Sequence, residues 1–160
     1  MIDYNPLREL LAAAQWKEAD GETYRLMLKI SGKQATACLD IESFEKFPCN
    51  DLQMIDQLWT THSNGNFGFS KQKQIYQHLG GNKEYNQNIW NAFGDSMGWR
   101  RSGKWLEYNE CWQTQPPLAV FCRVEIDIEG WDILRQWFCR SRESAMLFAT
   151  LVSRLSDCGL

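Results

Sequence analysis

Histidine, serine and cysteine side chains are the usual carriers of nucleophilic and acid–base catalysis, and this sequence has few of them in a useful arrangement. Of its two histidines, His62 falls near the end of a predicted helix and His78 on a face predicted to be exposed. Neither has a serine or cysteine at a recognisable nucleophile spacing. We therefore predict no catalytic residues and no enzymatic activity.

Carboxylates and glycine-rich loops offer no alternative chemistry. Asp51 and Asp56 lie five residues apart, which places them on different faces of a helix rather than side by side. Asp51, near the predicted start of that helix, is expected to stabilise the helix dipole. Neither of the common glycine-rich phosphate-binding motifs occurs, so no phosphate site is predicted.

Six cysteines are scattered along the chain without a CxxC pair: Cys38, Cys49, Cys111, Cys122, Cys139 and Cys158. With two histidines to complete a ligand set, a zinc or iron–sulfur site is not expected. Nothing in the sequence is typical of a secreted protein, in which disulfides are common. We therefore predict six free thiols and no metal site.

Tryptophan and arginine are concentrated in the second half of the chain. Six of the eight tryptophans follow residue 89, and seven of the nine arginines follow residue 99. Indole has a large flat apolar surface, and guanidinium is a planar fork for carboxylates. Together they suit a flat hydrophobic ligand with peripheral carboxylates, or an aromatic-rich protein interface. The ordinary alternative is that the tryptophans fill a core and the arginines are solvated.

Charge and hydropathy exclude several classes of partner. The formal net charge of the 160 residues is −3, which argues against general binding to nucleic acid. No apolar run approaches the roughly 20 residues that span a bilayer, and the first residues do not resemble a signal peptide. We expect a protein of the cytosol or the plastid stroma. Peripheral membrane association stays open but is not indicated.

The stretch from Phe47 to Gly81 must position much of any site, because it joins two predicted helices through the aromatic loop SNGNFGFS. The first helix is predicted to begin around Pro48 and the second at an N-cap, Ser70. Glycines in the loop permit a turn tight enough to aim Phe67 and Phe69 inward. Such a loop builds a core corner, which is the commoner use, or the lip of a pocket.

The remaining pattern is mostly helical. Pro6 opens a predicted αα-hairpin whose second helix runs from Trp16 to Ile30. A short helix or turn is predicted within residues 36–46, and a helical stripe ends at Met97. A last helix is predicted to be capped by Ser144, after a helical stretch at residues 131–138.

One segment departs from the helical pattern. Residues from Val120 to Ile128 alternate strictly between apolar and polar or aromatic side chains, which is typical of a strand. The short segment WLEY, residues 105–108, is a candidate partner. A short two-stranded ribbon is therefore predicted within residues 105–128.

A series of motifs resembles the genomes-uncoupled (GUN-four) tetrapyrrole-binding domain family. They occur in the family's order from about Leu7 to Tyr108: WKEAD with Thr23, FPCNDL, IDQLW, FGFSKQKQIY, and FGDSMGWR with WLEY. The tail that contains Arg154 and Cys158 also resembles the family's last helix. The resemblance implies one compact all-α domain over residues 1–160, with a concave ligand face and without the N-terminal helical bundle of well-studied members.

The family also implies a function. Its members bind porphyrins non-covalently, some bind linear bilins, and the best studied stimulate magnesium chelatase in chlorophyll synthesis. We therefore predict a non-enzymatic protein that binds protoporphyrin, magnesium protoporphyrin or a bilin. It would act as a carrier or regulator in the cytoplasm of a cyanobacterium or the plastid stroma, with the large chelatase subunit as a candidate partner. The alternatives are a bilin-binding protein, or an interaction or signalling module that has lost the ligand.

The resemblance also suggests where the ligand would lie. Arg154 would pair with a propionate, while Arg100 would either contact the ligand or hold its own loop to the preceding helix. The apolar pocket wall is expected to comprise Phe67, Phe69, Trp90, Phe93, Met97 and Trp99, with Trp131 and Trp137 on the opposite side. The sequence departs from the family after Tyr108, where TQPPLAVFCRVEIDIEGW replaces the family's ligand-covering APxGHLP-like loop. It also departs at WTTHS, where the family has a more apolar run.

Overall fold

The structure is a computed structural model that describes residues 2–36, 38–112 and 142–160, and for Tyr108 the backbone alone. Helices α1 (Asn5–Ala12) and α2 (Trp16–Ile30) form the predicted αα-hairpin and pack against each other. A proline in the first turn of α1 costs no intrahelical hydrogen bond, since the first amides of a helix have no partner within it. This part of the prediction is confirmed.

Three further helices follow: α3 (Ile41–Glu45), α4 (Cys49–His62) and α5 (Phe69–His78). Asp40 caps α3 by accepting a hydrogen bond from the Ser43 backbone N–H at 2.8 Å. The predicted N-cap of α5, Ser70, is wrong. The cap residue is Gly68, with φ of 130°, a backbone conformation that side-chain-bearing residues rarely adopt.

The middle of the chain contains α6 (Gln87–Met97) and the small ribbon. Gly98 ends α6 in the left-handed conformation that terminates many helices. Strands β1 (Arg100–Arg101) and β2 (Lys104–Trp105) then pair antiparallel, with Arg100 opposite Trp105. The ribbon is confirmed as an element. It lies at the start of the predicted range and slightly before it, while the alternating residues 120–128 lie outside the described residues.

After α7 (Tyr108–Cys111), the described chain resumes in α8 (Arg142–Asp157). The predicted N-cap of α8, Ser144, is wrong, since this serine lies within the helix. It packs on α3 and α5 and so closes the described part of the core. The helical stretch predicted at residues 131–138 lies outside the described residues.

The prediction of six free thiols is wrong, because Cys49 and Cys158 form a disulfide. Helix α4 begins at Cys49, and the segment after α8 brings Cys158 to it, an approach that sequence spacing alone does not show. Among the described residues Cys38 is a free, exposed thiol, and the Cys111 side chain is buried.

The all-α class predicted from the sequence is confirmed. The fully buried side chains that hold the helices together include large aromatic and aliphatic groups from α1, α2, α4, α5 and α6: Leu7, Leu26, Ile55, Trp59, Phe69, Phe93 and Met97. Within the described ranges, no helix is long and apolar enough to cross a membrane.

Candidate functional site

Six aromatic side chains pack ring against ring at the junction of α5, α6, α8 and the ribbon. We call them the aromatic cluster: Tyr76, Trp90, Phe93, Trp99, Trp105 and Phe148. Neighbouring ring centroids lie between 4.7 Å for Phe93–Phe148 and 6.3 Å for Trp90–Trp99, the range in which aromatic pairs attract one another. The cluster therefore contains three of the predicted pocket residues, Trp90, Phe93 and Trp99.

Trp105 reaches this cluster because α6 has a glycine where the indole crosses it. A Cβ atom placed on Gly94 would lie 2.5 Å from Cη2 of Trp105, closer than non-bonded carbon atoms approach. The bare backbone lets the indole lie on α6 and stack on Trp90, with a centroid distance of 5.8 Å and an interplanar angle of 30°. The Leu106 N–H donates to the Trp99 carbonyl at 2.9 Å and fixes the strand that carries the indole.

One edge of the aromatic cluster reaches the surface. Trp90, Phe93 and Trp99 are buried, whereas Trp105 is only partly buried. Leu106 and Trp112 are likewise partly buried and pack against the core. We call Trp105, Leu106 and Trp112 the aromatic edge. Among the tryptophans in residues 90–112, Trp105 and Trp112 are the two that are only partly buried.

The sequence interpretation missed the aromatic edge. It assigned WLEY to a strand pairing, and it counted Trp105 and Trp112 among the tryptophans suited to a flat ligand without placing either of them in the predicted pocket. A signal for Trp105 was present, because a glycine inside a helical stripe often marks a close approach by another group. Gly94, between Phe93 and Asp95, is such a glycine.

Arg100 has the contacts expected if it holds its own loop to the preceding helix. Its Nη1 donates to Asp95 Oδ2 at 2.9 Å and its Nη2 to the Gly103 carbonyl at 3.1 Å. The guanidinium therefore holds the turn of the ribbon to the end of α6. Contact between Arg100 and a ligand stays a prediction.

Two buried N–H groups, Trp99 Nε1 within the aromatic cluster and Arg100 Nε next to it in sequence, have no hydrogen-bond acceptor within the described part of the chain. An unsatisfied buried donor typically costs about 1–3 kcal/mol. Hydrogen bonding is therefore less complete in this region than in an ordinary protein core.

Phe67 and Phe69 form a core corner rather than an open lip. Phe67 packs against Trp16 and Trp59, with ring centroids 5.1 and 6.0 Å apart. Its backbone N–H donates to Ser63 Oγ at 2.9 Å. The two phenylalanine side chains are 7% and 1% exposed. Their contact with a ligand stays a prediction, and the structure gives them a packing role.

Two other residues of the predicted site, Met97 and Arg154, are not part of the aromatic edge. Met97 is fully buried at the end of α6. Arg154 is partly buried on α8, and its Nε donates to the Phe47 carbonyl at 2.9 Å. It is six residues beyond Phe148, which corresponds to about 9 Å along a helix axis and a different helix face. The remaining predicted residues, Trp131 and Trp137, lie outside the described residues.

A groove of about 540 Å³ lies elsewhere, between the end of α4, the start of α5 and the end of the described chain. Its lining is mostly polar: Thr60, Gly65, Ser70, Lys71, Lys73, Gln74, Gln77 and Leu160. Pockets for drug-sized apolar molecules are lined mainly by hydrophobic and aromatic side chains. The groove therefore does not match the flat apolar ligand predicted from the tryptophans.

Titratable groups of the described residues show no arrangement typical of catalysis. Burial raises the pKa of Tyr24 to about 12 and also raises the pKa of Tyr76, so both phenols stay neutral at physiological pH. In these residues no group of three or more histidine, cysteine, aspartate or glutamate side chains could hold a metal ion.

Comparison with known proteins places this arrangement in context. The sequence model described as GUN4-like matches residues 1–131. A Ycf53-like protein of Synechocystis is 36% identical over 109 residues, which cover 67% of this chain and 44% of the relative. The chloroplastic tetrapyrrole-binding protein of Arabidopsis thaliana is 36% identical over 75 residues, covering 46% of this chain and 28% of the relative. The chain thus spans less than half the length of these relatives.

The fold also has a solved counterpart. The ligand-free structure of Arabidopsis thaliana GUN4 superposes with a TM-score of 0.67 at 21% identity, covering 95% of this chain and 96% of that one. At this identity the similarity establishes the helical fold. It confirms the architecture predicted from the sequence motifs.

Proposed function

Because the chain belongs to the GUN4-like family, we propose that it binds a tetrapyrrole at the aromatic edge. The single observation that carries this proposal is that six packed aromatic rings reach the surface at Trp105. Flat aromatic systems stack on indole rings, and Trp90 and the backbone at Gly94 support the Trp105 ring. The name of the Arabidopsis relative supports the same ligand class.

The buried members of the predicted pocket have a supporting role in this proposal. Trp90, Phe93 and Trp99 lie behind Trp105 and hold it in one orientation. A rigid apolar surface loses little conformational entropy when a ligand binds. We therefore expect substitutions of the buried rings to act on affinity through the position of Trp105.

Carboxylates of the ligand need cations, and the resemblance to the family makes Arg154 the proposed partner. Since Arg154 lies on a different face of α8 from Phe148, the proposal requires the ligand to extend from the aromatic edge towards the end of α8. Arg154 Nε donates to the Phe47 carbonyl, which restrains the plane of the guanidinium. A guanidinium with this geometry can bind a carboxylate through two parallel hydrogen bonds.

The finer proposal is that the protein is a non-enzymatic carrier or regulator. It would bind protoporphyrin, magnesium protoporphyrin or a bilin, and would act in the cytoplasm of a cyanobacterium or in the plastid stroma. Stimulation of magnesium chelatase through its large subunit is the proposed activity, since the resemblance to the family implies it.

Titration of the protein with protoporphyrin, magnesium protoporphyrin and a bilin tests the proposal. We expect saturable quenching of tryptophan fluorescence at micromolar ligand and a shift of the porphyrin Soret band. Replacing Trp105 by alanine should weaken binding about two- to tenfold, equivalent to the roughly 0.5–1.5 kcal/mol of an aromatic contact. Arg154→Ala should also weaken binding. Its matched control is Arg25→Ala, which removes an exposed arginine of α2 paired with Glu22 and should leave the affinity unchanged. Absence of saturable quenching with all three ligands would contradict the proposal.

A second candidate function rests on the burial of the predicted pocket residues. Phe67, Phe69 and Met97 are almost completely buried, which suits a protein-interaction module that keeps the fold without the ligand. Capture of a partner whose binding is unchanged in Trp105→Ala and Arg154→Ala, together with no tetrapyrrole binding, would favour this function.

A further inference from the structure

The disulfide joins two distant parts of the chain at one end of the fold. Cys49 is the first residue of α4, and Cys158 directly follows α8, 109 residues later in sequence. Their Cα atoms lie 5.2 Å apart, within the usual range for a disulfide. The bond therefore fixes the end of α8 to the junction between α3 and α4.

The same junction is also held without the covalent bond. Arg154 Nε donates to the carbonyl of Phe47, two residues before Cys49, at 2.9 Å. Gln53 Nε2 donates to the carbonyl of Cys158 at 2.7 Å. Because α8 also packs on α3 and α5, these contacts hold the body of the helix independently of the disulfide.

Arg154 and Cys158 share that last turn. The Cys158 N–H donates to the Arg154 carbonyl at 3.0 Å, so the two side chains project from neighbouring positions of the helix. The guanidinium and the disulfide thus attach the end of α8 to the same short segment, Phe47 to Cys49.

We propose that the Cys49–Cys158 disulfide is a redox switch that controls how firmly Arg154 is held and thereby the affinity for an anionic ligand. The coupling to affinity rests on the proposed function, whereas the control of the last turn of α8 does not. In the oxidised state the guanidinium is preorganised. In the reduced state the last turn of α8 opens more often, and a carboxylate must order it on binding.

A dithiol is the chemical class of reductant for this switch. Cys158 is 7% exposed, whereas Cys49 is only partly buried, so Cys49 Sγ is the sulfur open to attack. One thiolate of the dithiol attacks it, the S–S bond breaks, and Cys158 leaves as a thiolate and takes up a proton. The second thiol of the reductant then displaces Cys49 from the mixed disulfide. The protein gains two thiols, and the dithiol becomes a disulfide.

The first experiment measures the switch without any ligand. Titration of thiols in the unfolded chain should find more thiols after treatment with dithiothreitol than before it, and this gain should be smaller by two in Cys49→Ser. Amide hydrogen exchange over residues 154–160 should speed up in the reduced protein and in Cys49→Ser, while α1 and α2 stay unchanged. Cys38→Ser, which removes an exposed free thiol, should retain the redox response. Equal thiol counts, or equal exchange in both redox states of the wild type, would overturn the switch.

The second experiment adds protoporphyrin to both redox states of the wild-type chain. We expect affinity to fall about fivefold on reduction, the lower end of ordinary coupling between two sites, and to be insensitive to redox state in Arg154→Ala. Identical affinities in oxidised and reduced wild type would overturn the coupling while leaving the proposed function intact. No saturable binding in either state, with a preserved exchange response, would contradict the proposed function and uphold control of the last turn.

Discussion

Asp56 on α4 accepts a hydrogen bond from the backbone N–H of Ser70, in the first turn of α5, at 2.9 Å. The carboxylate is 5% exposed and lies 14 residues upstream of its partner. Since the cap residue of α5, Gly68, has no side chain, Asp56 supplies from another helix the acceptor that an N-cap side chain normally provides. It also places a negative charge at the positive end of the helix dipole.

We predict that Asp56→Ala lowers the free energy of unfolding by about 1–3 kcal/mol, because a buried amide loses its acceptor. Asp56→Asn should cost less, since the amide oxygen still accepts a hydrogen bond. Urea denaturation followed by circular dichroism measures both values. Gln57→Ala, an exposed change on the same helix, is the control and should be close to neutral. Equal losses in the alanine and asparagine variants would contradict the capping role.

Gly68 is expected to be intolerant of substitution for two reasons. Its φ of 130° lies where L-residues are strained, and an added Cβ would be 2.8 Å from both Asp56 Oδ1 and Thr60 Cγ2. Gly68→Ala should therefore cost more than about 2 kcal/mol. Gly65→Ala, with φ of 77° and no atom within 4 Å of the added Cβ, should cost only about 1 kcal/mol. Comparable thermal unfolding of the two variants would show that the crowding at Gly68 is unimportant.

The helix order could be predicted from sequence because helix signals are local. Apolar stripes, Pro6 and the Gly98 stop depend on neighbours within a turn or two. The predicted cap of α5 was wrong for two reasons. Asp56 is distant from Ser70 in sequence and accepts its hydrogen bond only in the folded chain, and a serine that precedes an apolar stripe is also typical of an ordinary N-cap. The disulfide was missed for the first of these reasons, since spacing does not show that Cys49 and Cys158 meet.

The candidate site was predictable in composition but not in geometry. Tryptophan enrichment indicated an aromatic surface, and Trp90, Phe93 and Trp99 do share one cluster. Which ring reaches solvent depends on tertiary packing, and it is Trp105, placed by Gly94 and by the ribbon.

Gly94→Ala should push Trp105 off α6. The added Cβ would lie 2.5 Å from the indole, so the ring must move outward and lose its stacking on Trp90. We expect a loss of about 1–3 kcal/mol, a red shift of tryptophan emission and weaker porphyrin binding. Gly21→Ala on α2, where nothing lies within 4 Å, is the matched control and should stabilise by about 0.5–1 kcal/mol. Unchanged emission in Gly94→Ala would contradict the placement of Trp105.

Asp40 should make stability depend on pH in the acid range. A hydrogen bond from Lys33 Nζ at 2.8 Å and further ones from Ser43 hold the pKa of this carboxyl well below its usual range. Because the folded pKa is the lower one, the stabilisation is complete above the ordinary value of about 3.9 and is lost as the pH falls from there through the folded pKa.

Asp40→Asn tests the negative charge of Asp40 separately from its capping hydrogen bond, since asparagine also accepts a hydrogen bond at an N-cap. Its unfolding midpoint should lie below that of the wild type at about pH 6, and the gap should narrow as the pH falls below about 4. Added salt should also narrow the gap, because the ion pair with Lys33 is at the surface. Glu45→Gln, on the exposed side of α3, corrects for the general effect of removing one negative charge. Thermal unfolding across this pH range measures the gap, and a gap that stays constant would show that the charge of Asp40 does not contribute.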